Sequence, residues 1–510
     1  MSRIAIAVSP SQFQRWHQQL RDTLAARWPE DNVSFRLAPQ EQQRASAADR
    51  LLGMERLLLL GGKPSLCDRL DPPVASDVDA DIVIDLAGNQ GGAGERVLRP
   101  LYDGHSTDQA AVAAIMAGAA PRIAVEDITT GAILAEGLPS LEAASSLTAA
   151  LEAVYSRMAL LIEMALAKPR QDCVPAARVD RAPTTSLSWL LRNLSFQCTR
   201  ALYHLCCHSP HWRVGWRFTS GKGVIETGAI TGAPWRLMLD REMGFAADPF
   251  PIEWRGRVGV FYERMNYRAD RGEIWFQPFD ERGPAGEPVP AIREPWHLSY
   301  PFLIEEDGEL YLIPEASVSR AVTLYRCVAF PDRWEPVARI IDDVEAADAT
   351  VFKHDGRYWM TSVVRNGVGG YSDTLAIHHA PGLFGPWEPH ALNPVVVDVR
   401  FSRPAGAVVR TATGLYRPVQ DCSRGYGAAM EIMRIDRLDP ENFSQSQIAR
   451  LAPGAAWPGA RLHTLNRWGR LECIDGAILT PKYLPLRRLT QQFVDRHWSV
   501  AESSVQQCAY

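Results

Sequence analysis

Ser299-Tyr300-Pro301-Phe302, followed by Asp307-Gly308 and then Leu310–Glu315, reads as an apolar strand, a tight turn and a second apolar strand. An Asp-Gly pair between two apolar runs is a strong signal for a β-hairpin. The chain repeats this unit about every 50 residues, and each copy ends in a longer polar segment with room for two outer strands. Repeats of this length with four strands are typical of β-propeller blades.

The unit occurs five times between residue 246 and about residue 490. In four copies the turn glycine follows a fixed strand-start position by eight residues, and the copy that begins at Arg403 is three residues longer. We therefore predict an all-β five-bladed β-propeller over residues 212–510, in which Trp212–Leu239 supplies the strand that the last blade lacks. The strand-start positions are Asp248, Tyr300, Asp348, Arg403 and Arg461.

The two ends of each predicted hairpin meet at one edge of the sheet, because antiparallel strands bring the start of one beside the end of the other. Five-fold repetition then gathers ten positions around one mouth of the propeller. Their residue types differ from blade to blade, as an asymmetric ligand site requires, although salt bridges between blades would use the same residues. The predicted pairs are Asp248 with Glu263, Tyr300 with Glu315, Asp348 with Val363, Arg403 with Asp421, and Arg461 with Gly476.

Acids and arginines at one mouth fit a phosphorylated sugar donor or a phospholipid-linked acceptor. Carboxylates near a bound sugar can act as acid, base or nucleophile, and arginines suit a phosphate or carboxylate. Two histidines, His297 and His463, lie beside the predicted strand starts. Simple binding without reaction would use the same groups. We predict no metal and no cofactor, since histidines and cysteines lack the spacing of metal ligands.

The first 168 residues alternate strand and helix patterns, which predicts an α/β domain with a parallel sheet. No G-x-G-x-x-G follows the first strand, so a dinucleotide site is not indicated. The D-x-D pattern Asp77-Val78-Asp79 is interpreted as a polar loop. The predicted strands are Ile4–Val8, Val33–Leu37, Arg56–Leu60 and Asp81–Leu86, and the predicted helices are Gln12–Trp28, Thr107–Ala117 and Leu141–Ala167.

Residues 169–211 are predicted to form a linker and an amphipathic helix. The linker contains Pro169, Pro175 and Pro183, and the helix covers Ser186–Cys207 with apolar, aromatic and basic residues. Such a helix either lies at a membrane interface or docks between two domains. Both interpretations remain open.

Composition limits the class of protein. The chain has 510 residues, of which 46% are hydrophobic, and its net charge is −5. The acidic balance argues against a nucleic-acid partner. Nine cysteines without a C-x-x-C motif, and a buried strand rather than a signal peptide at the N-terminus, predict a cytoplasmic protein. Peripheral contact with the inner face of the membrane is the alternative that the membrane interpretation of Ser186–Cys207 adds.

Three segments carry a family resemblance: His297–Phe302, Tyr311–Ser317 and Arg417–Gly427. They resemble the N-terminal propeller region of the glucosamine inositolphosphorylceramide transferases over roughly residues 212–480. The strand–turn–strand pattern is also similar to five-bladed glycoside hydrolases of the arabinanase and invertase type, which carry an acid where this chain has Tyr300. The match implies an enzyme of glycan assembly that transfers an activated sugar to a saccharide or lipid-linked acceptor. The alternative is a non-catalytic glycan-binding or scaffold protein for a separate transferase.

The family resemblance and the positions predicted at the propeller mouth together identify the candidate site residues. The predicted catalytic groups are Asp248, Glu315, Asp348 and Asp421. Arg403 and Arg461 are predicted to bind the phosphate of the substrate. His297 and Tyr300 are predicted to orient the substrate. The remaining predicted substrate-binding residues are Glu263, His463, Arg417 and Tyr426.

The N-terminal domain resembles formyltransferases through Gly118–Gly137. Thr129 and Thr130 stand where that family has its catalytic Asp-x-Gly region, and the family's Asn-x-His-Pro motif is missing after Leu86. The resemblance therefore implies a degenerate formyltransferase-like domain, with formyl or acyl transfer as a third candidate function.

Overall fold

The structure is a computed structural model that describes residues 2–39, 47–59, 61, 63–74, 79–88, 94–167, 177–182, 184–238, 244–454, 456–457, 459–490 and 492. It contains two compact units. One comprises Met1–Cys198 with Asn366–Gly370, and the other comprises Thr199–Arg365 with Tyr371–Tyr510. Most of the predicted linker lies outside the described residues.

The first unit contains a six-stranded sheet in the order β2-β1-β3-β4-β5-β6. Strands β1 to β4 pair in parallel, whereas β5 and β6 add to the sheet as antiparallel strands, so the predicted parallel sheet holds for four strands. Nothing in this unit tests the formyltransferase resemblance, which stays a prediction. The elements are β1 (Arg3–Val8), α1 (Arg15–Arg27), β2 (Asn32–Leu37), α2 (Ala47–Leu58), β3 (Ile82–Asp85), β4 (Arg96–Tyr102), α3 (Gln109–Ala117), β5 (Ile123–Asp127), β6 (Ala132–Gly137) and α4 (Leu147–Ala167).

The strand predicted at Arg56–Leu60 is wrong, because Arg56–Leu58 form the end of helix α2. A short apolar run is compatible with strand or helix by periodicity alone. The pattern of side-chain burial distinguishes helix from strand here, because Leu51 and Glu55 are buried while Leu57 and Leu58 are exposed. The D-x-D pattern falls largely outside the described residues, since they exclude Asp77 and Val78.

The second unit contains five sheets of four or five strands, and these are the five blades of a β-propeller. The first strand of the second blade, β14, contacts the first strands of the first and third blades, β9 and β18. The first blade contains β9 (Gly244–Trp254), β10 (Arg257–Asn266), β11 (Arg271–Asp280), β12 (Gly283–Pro284) and β13 (Val289–Ile292), and the second contains β14 (Ser299–Glu306), β15 (Glu309–Glu315), β16 (Ala321–Ala329) and β17 (Arg333–Asp342). The third blade contains β18 (Ala346–His354), β19 (Arg357–Val364), β20 (Thr374–Ala380), β21 (Glu388–Pro389) and β22 (Val396–Val397). The fourth contains β23 (Val409–Thr411), β24 (Gly414–Asp421), β25 (Ala429–Asp439) and β26 (Asn442–Leu451).

The fifth blade joins the two ends of the propeller sequence. Its order is β27-β28-β7-β8, and β7 pairs antiparallel with β28 from Phe218 opposite Leu471 to Cys207 opposite Pro481. The expectation that the segment from Trp212 completes the last blade is therefore confirmed. These strands are β7 (Cys207–Phe218), β8 (Arg236–Leu237), β27 (Leu465–Trp468) and β28 (Leu471–Pro481).

The predicted amphipathic helix is present as α5 (Ser186–Cys206), and a short helix α6 (Val224–Thr227) follows β7. Trp189 is buried, whereas Leu187, Leu191, Leu194 and Phe196 are exposed. Among the described residues, every helix is too short or too polar to cross a lipid bilayer.

A buried ion pair joins β7 to β28 in the fifth blade. The Arg217 guanidinium on β7 lies 2.7 Å from the Glu472 carboxylate on β28, and the two side chains are 4% and 2% exposed. Glu472 also accepts a hydrogen bond from the backbone N–H of Val224, and Arg217 stacks over Trp235.

We expect Arg217→Met to lower the free energy of unfolding by about 3–5 kcal/mol, because it leaves Glu472 as an unpaired buried charge. The measurement is urea unfolding. The matched control is Arg434→Met, which breaks an ion pair to Asp436 whose side chains are 44% and 30% exposed. The control should cost no more than about 1 kcal/mol. Equal losses in the two variants would contradict a special role for the closing pair.

Candidate functional site at the propeller mouth

The strand-start positions of the first three blades share an unusual backbone. Asp248, Tyr300 and Asp348 have φ values of 51°, 43° and 55°, in the left-handed region that residues with a side chain rarely adopt. Each sits at a shift in strand register, so that each is the extra residue of a β-bulge. Strain repeated at corresponding positions marks a functional constraint, since each case costs of order 1–3 kcal/mol.

The bulges shift the predicted pairs by one residue. Glu263 pairs with Ala247, Glu315 with Ser299, and Val363 with Ala347, each one residue before the predicted partner. The side chains still reach the same mouth, because the bulged residue is turned out of the strand. In these three blades the structure therefore corrects the predicted register by one residue.

A network of two aspartates and a histidine joins the first and fifth blades. His463 Nδ1 lies 2.6 Å from Asp475 Oδ1, and the other ring nitrogen of His463 lies 3.6 Å from Asp248. The Asp248 backbone N–H donates to Asp475, and the Thr464 hydroxyl donates to Asp248 at 2.6 Å. All three titratable groups are buried.

Aromatic rings fix this histidine in place. His463 stacks on Trp212 with ring centroids 3.7 Å apart and planes 6° from parallel. Tyr426 meets both rings edge-on. Gly427 permits this packing, because a Cβ there would lie 2.8 Å from Trp212 and 2.9 Å from His463.

Arg403 links the third and fourth blades. Its Nε donates to Asp348 Oδ2 at 2.7 Å, another guanidinium nitrogen donates to the Tyr371 carbonyl, and the guanidinium lies 4.7 Å from the centre of the Tyr426 ring. Gln420 also donates to Asp348 Oδ2, at 3.2 Å. The predicted phosphate-binding Arg403 is thus an ion-pair partner of the predicted catalytic Asp348.

Tyr300 ties four blades together at the axis. Its backbone N–H donates to Asp248, its hydroxyl lies 2.8 Å from the Thr350 hydroxyl, and the same hydroxyl accepts from Gly406 at 2.9 Å. The side chain is 1% exposed. Tyr300 therefore has a structural position beneath the site, and its hydroxyl already forms hydrogen bonds with Thr350 and Gly406.

Two glutamates complete the acidic cluster. Glu315 accepts hydrogen bonds from the Ser299 and Ser317 hydroxyls at 2.7 and 3.0 Å and is only partly buried. Glu263 is buried, and its carboxylate lies 3.4 Å from His297 Nε2. Because the Gly272 N–H donates to His297 Nδ1, the hydrogen of a neutral His297 lies on Nε2 and points to Glu263.

The mouth carries more acid than base. Five carboxyl groups interact there, and Arg403 and His463 are cationic partners of Asp348 and of the Asp248–Asp475 pair. Electroneutrality in a buried site is restored by holding protons on some of the acids. The five acids are Asp248, Glu263, Glu315, Asp348 and Asp475.

The pKa shifts follow from that imbalance. Burial, reinforced by the neighbouring acids, raises the pKa of Glu263 well above its usual range. Burial raises the pKa of Asp348 to about 7, against the opposing effect of Arg403. Burial raises the pKa of Asp248, although His463 opposes the shift. Burial alone would lower the pKa of His463, but Asp475 and Asp248 outweigh it and raise that pKa.

Three of the predicted site residues make other contacts. Arg417 is buried in β24 and donates to the Phe401 and Ser402 carbonyls, at 3.2 and 2.8 Å. Asp421 is buried beside Arg450, which also pairs with Glu431. Arg461 donates to the backbone carbonyl of Tyr426 and so supports that ring. The first two brace the fourth blade, and none of these contacts involves the acidic cluster.

Sequence reasoning missed Asp475, Trp212, Gln420 and Thr464. The signal for Asp475 was present, since it directly precedes Gly476, the position that the repeat selected. The one-residue displacement at the bulges could not be read from turn spacing. Trp212 lies on β7, far from the repeats in sequence, and only closure of the ring places it against His463.

A metal site was not predicted, yet three ligand-type side chains meet here. Asp248, His463 and Asp475 each offer an atom, and these atoms lie within 4.8 Å of one another. The same oxygens also accept hydrogen bonds from Thr464 and from backbone N–H groups. The donor set is chemically suitable for a divalent cation, and the protein also satisfies much of it internally.

In the first unit, the region that resembles formyltransferases forms a hairpin turn. Asp127 lies 2.8 Å from Arg96, and its carboxylate and carbonyl accept from the N–H groups of Thr129 and Gly131. A cavity of about 50 Å³ lies near the ends of β1 and β3 and is lined by His17, Tyr102 and Asp108, among others. Small-molecule sites are typically about 300–1,000 Å³, so this cavity is small for a cofactor.

The geometry defines a class of protein: a five-bladed propeller with a buried, acid-rich polar site at one mouth of its axis. Residues 237–472 match the family model described as glucosamine inositolphosphorylceramide transferase 1, N-terminal. This segment is therefore similar to that family's N-terminal region, and the resemblance that its motifs predicted is confirmed.

Two relatives show the extent of the match. The glucosamine inositolphosphorylceramide transferase 1 of Arabidopsis thaliana is 29% identical over 257 residues, which cover 49% of this chain and 33% of the relative. The protein of the same name from Oryza sativa subsp. indica is 28% identical over 232 residues, 44% of this chain and 31% of the relative. The matched region is thus about a third of the length of these relatives.

Solved structures show a more distant likeness. A family 117 glycoside hydrolase from Zobellia galactanivorans has a TM-score of 0.34 and 16% identity, covering 51% of this chain and 90% of its own. A family 43 glycoside hydrolase from Bacillus licheniformis has a TM-score of 0.33 and 18% identity, covering 44% of this chain and 51% of its own. Similarity at this level carries no conclusion about activity.

We expect Glu263 to keep its proton at neutral pH. A carboxyl group whose pKa is higher in the folded than in the unfolded protein makes the free energy of unfolding fall as pH rises between the two values. Glu263→Gln removes this dependence, so the variant should gain stability relative to wild type on going from pH 5 to pH 7, by up to about 1.4 kcal/mol per pH unit.

Urea unfolding at several pH values measures this difference, and infrared spectra at pH 7 should lose a protonated-carboxyl band in Glu263→Gln. Glu253→Gln is the matched control, because Glu253 is exposed on the neighbouring strand β9. A stability difference that is independent of pH, with no change in the infrared band, would show that Glu263 is ionised.

Proposed function

We propose that the propeller mouth is the sugar site of a glycan-assembly transferase that uses a phosphorylated or nucleotide-activated donor. The observation that carries the proposal is that two buried carboxyl groups of one mouth have different partners: Asp348 pairs with the Arg403 guanidinium at 2.7 Å, and Glu263 faces His297 at 3.4 Å. Burial raises the pKa of both groups, and Arg403 opposes the shift at Asp348. Carboxyl groups separated in this way supply an acid and a base for chemistry at a sugar carbon. The relatives are named as transferases, which supports the proposal of a transfer reaction.

The proposed reaction joins an acceptor hydroxyl to the anomeric carbon of the donor sugar. The acceptor loses its proton to Asp348, whose pKa of about 7 suits a base at neutral pH. The bond between the anomeric carbon and the donor's phosphate oxygen breaks, and the phosphate leaves with the bonding electrons. Glu263, held protonated, donates a hydrogen bond to that oxygen, while Glu315 and Asp248 bind sugar hydroxyls.

Arg461 is the proposed partner of the donor phosphate. Arg403 is committed to Asp348 and to the Tyr371 carbonyl, whereas the Arg461 side chain is less buried and contacts the 425–426 loop. A guanidinium held at one nitrogen can still present its other N–H groups to a phosphate. The acceptor is proposed to be a saccharide or a lipid-linked saccharide.

The second candidate is a non-catalytic glycan-binding protein that serves a separate transferase. The matched part is the N-terminal region of the family model and about a third of the relatives' length, so the relatives' names do not by themselves assign the transfer step to this part. Tight internal pairing of His463 with Asp475 and of Arg403 with Asp348 would suit a rigid binding surface equally well.

We expect Asp348→Asn to lower turnover by a factor of roughly 10²–10⁴, the usual contribution of a general base. The assay follows phosphate or nucleotide release from each donor of a panel, with circular dichroism to verify folding. Asp355→Asn is the control, because Asp355 lies at the far turn of the same hairpin with its side chain 84% exposed. Full turnover in Asp348→Asn would place the chemistry elsewhere, and donor binding without turnover in wild type would favour the glycan-binding protein.

We expect Arg461→Ala to weaken donor binding about 10- to 100-fold, the loss typical of a hydrogen bond to a charged group. Isothermal titration of nucleotide sugars and sugar phosphates measures it, with Arg434→Ala on the outer part of the fourth blade as control. Binding that survives Arg461→Ala would move the donor away from this part of the mouth.

A further inference from the structure

A second apolar segment lies next to the end of helix α5. After β28 the chain turns into a helix over residues 484–490, and four of its large apolar or aromatic side chains face solvent. They are Tyr483 (71% exposed), Leu484 (41%), Leu486 (51%) and Leu489 (62%).

Hydrogen bonds join this segment to α5 and β7. The Lys482 N–H donates to the Cys206 carbonyl at 2.8 Å, and a guanidinium nitrogen of Arg487 lies 2.8 Å from His208. The last turn of α5 adds Leu202 and Leu205, which are 61% and 72% exposed. We call these six side chains the terminal apolar patch: Leu202, Leu205, Tyr483, Leu484, Leu486 and Leu489.

The sequence around the patch is basic throughout. Residues 181–225 and residues 476–494 contain no Asp or Glu, although the chain as a whole has a net charge of −5. Arg200, Lys482 and Arg488 are exposed beside the patch. Exposed apolar patches on a protein surface mark interaction sites. The residues around this patch add positive charge to it.

We propose that the terminal apolar patch binds the surface of an anionic lipid bilayer. Leu and Tyr side chains enter the boundary between headgroups and acyl chains, with the aromatic ring at headgroup depth, while the basic residues meet lipid phosphates. The proposal concerns a surface rather than the mouth, so it stands apart from the sugar-transfer reaction.

Charge distinguishes a membrane from a second copy of this chain. A symmetric dimer through the patch would oppose the exposed Arg200 and Lys482 to the same residues of its partner. Like charges brought together disfavour such an interface. An anionic bilayer supplies the complementary charge.

The test is sedimentation of the full chain with vesicles. We expect binding to phosphatidylcholine mixed with phosphatidylserine, little binding to phosphatidylcholine alone, and release at high salt, because screening weakens the attraction. Arg200→Gln and Lys482→Gln should each lower the partition coefficient about fivefold. Leu486→Glu combined with Leu489→Glu should abolish binding.

Val318→Glu is the matched control, since Val318 is 74% exposed in the second blade, outside the patch. Unchanged urea midpoints verify that the variants fold. Absence of vesicle binding, or binding that survives the double Leu→Glu change, would overturn the proposal. A concentration-dependent dimer in light scattering that the double change abolishes would assign the patch to a second copy instead.

Discussion

Pairing of β7 with β28 is the constraint on which both the propeller and its site depend. It closes the ring of blades, and it carries the buried Arg217–Glu472 pair. The same strand brings Trp212 to the axis, where its ring stacks on His463 and holds the imidazole between Asp475 and Asp248. Closing the fold and building the fifth-blade part of the mouth are therefore one event.

The mouth is held rigid at a cost in strain and in buried charge. Three bulged residues adopt left-handed backbone, and five carboxyl groups interact in one mouth. Neither feature would survive selection for stability alone. Their combination sets different proton affinities on carboxyl groups within one small volume, and such separation is what acid–base chemistry on a sugar needs.

The repeat was readable from the sequence because a hairpin turn needs its glycine at a fixed distance from the strand start. That spacing gave five blades, the closing role of the segment from Trp212, and the gathering of Asp248, Glu263, Tyr300, Glu315 and Asp348. Spacing carries no information on bulges, so the predicted partners of Glu263, Glu315 and Val363 were displaced by one residue. The partners of Arg417 and Asp421 could not be foreseen either, because carbonyl groups and Arg450 approach them only in the packed blade. The α2 error has a similar origin, since burial rather than periodicity separates helix from strand in a short apolar run.

Closure also sets an order of events during synthesis. Phe218 and Leu471 are paired neighbours, yet roughly 250 residues separate them along the chain. At about 5–20 residues per second, a ribosome takes on the order of 10 to 50 seconds to reach the partner of β7 after β7 has emerged. For that interval β7 has an unpaired edge rich in aromatic residues, the kind of edge that invites association with another chain. In a growing polypeptide of this protein, β7 therefore benefits from shielding until β28 has been synthesised.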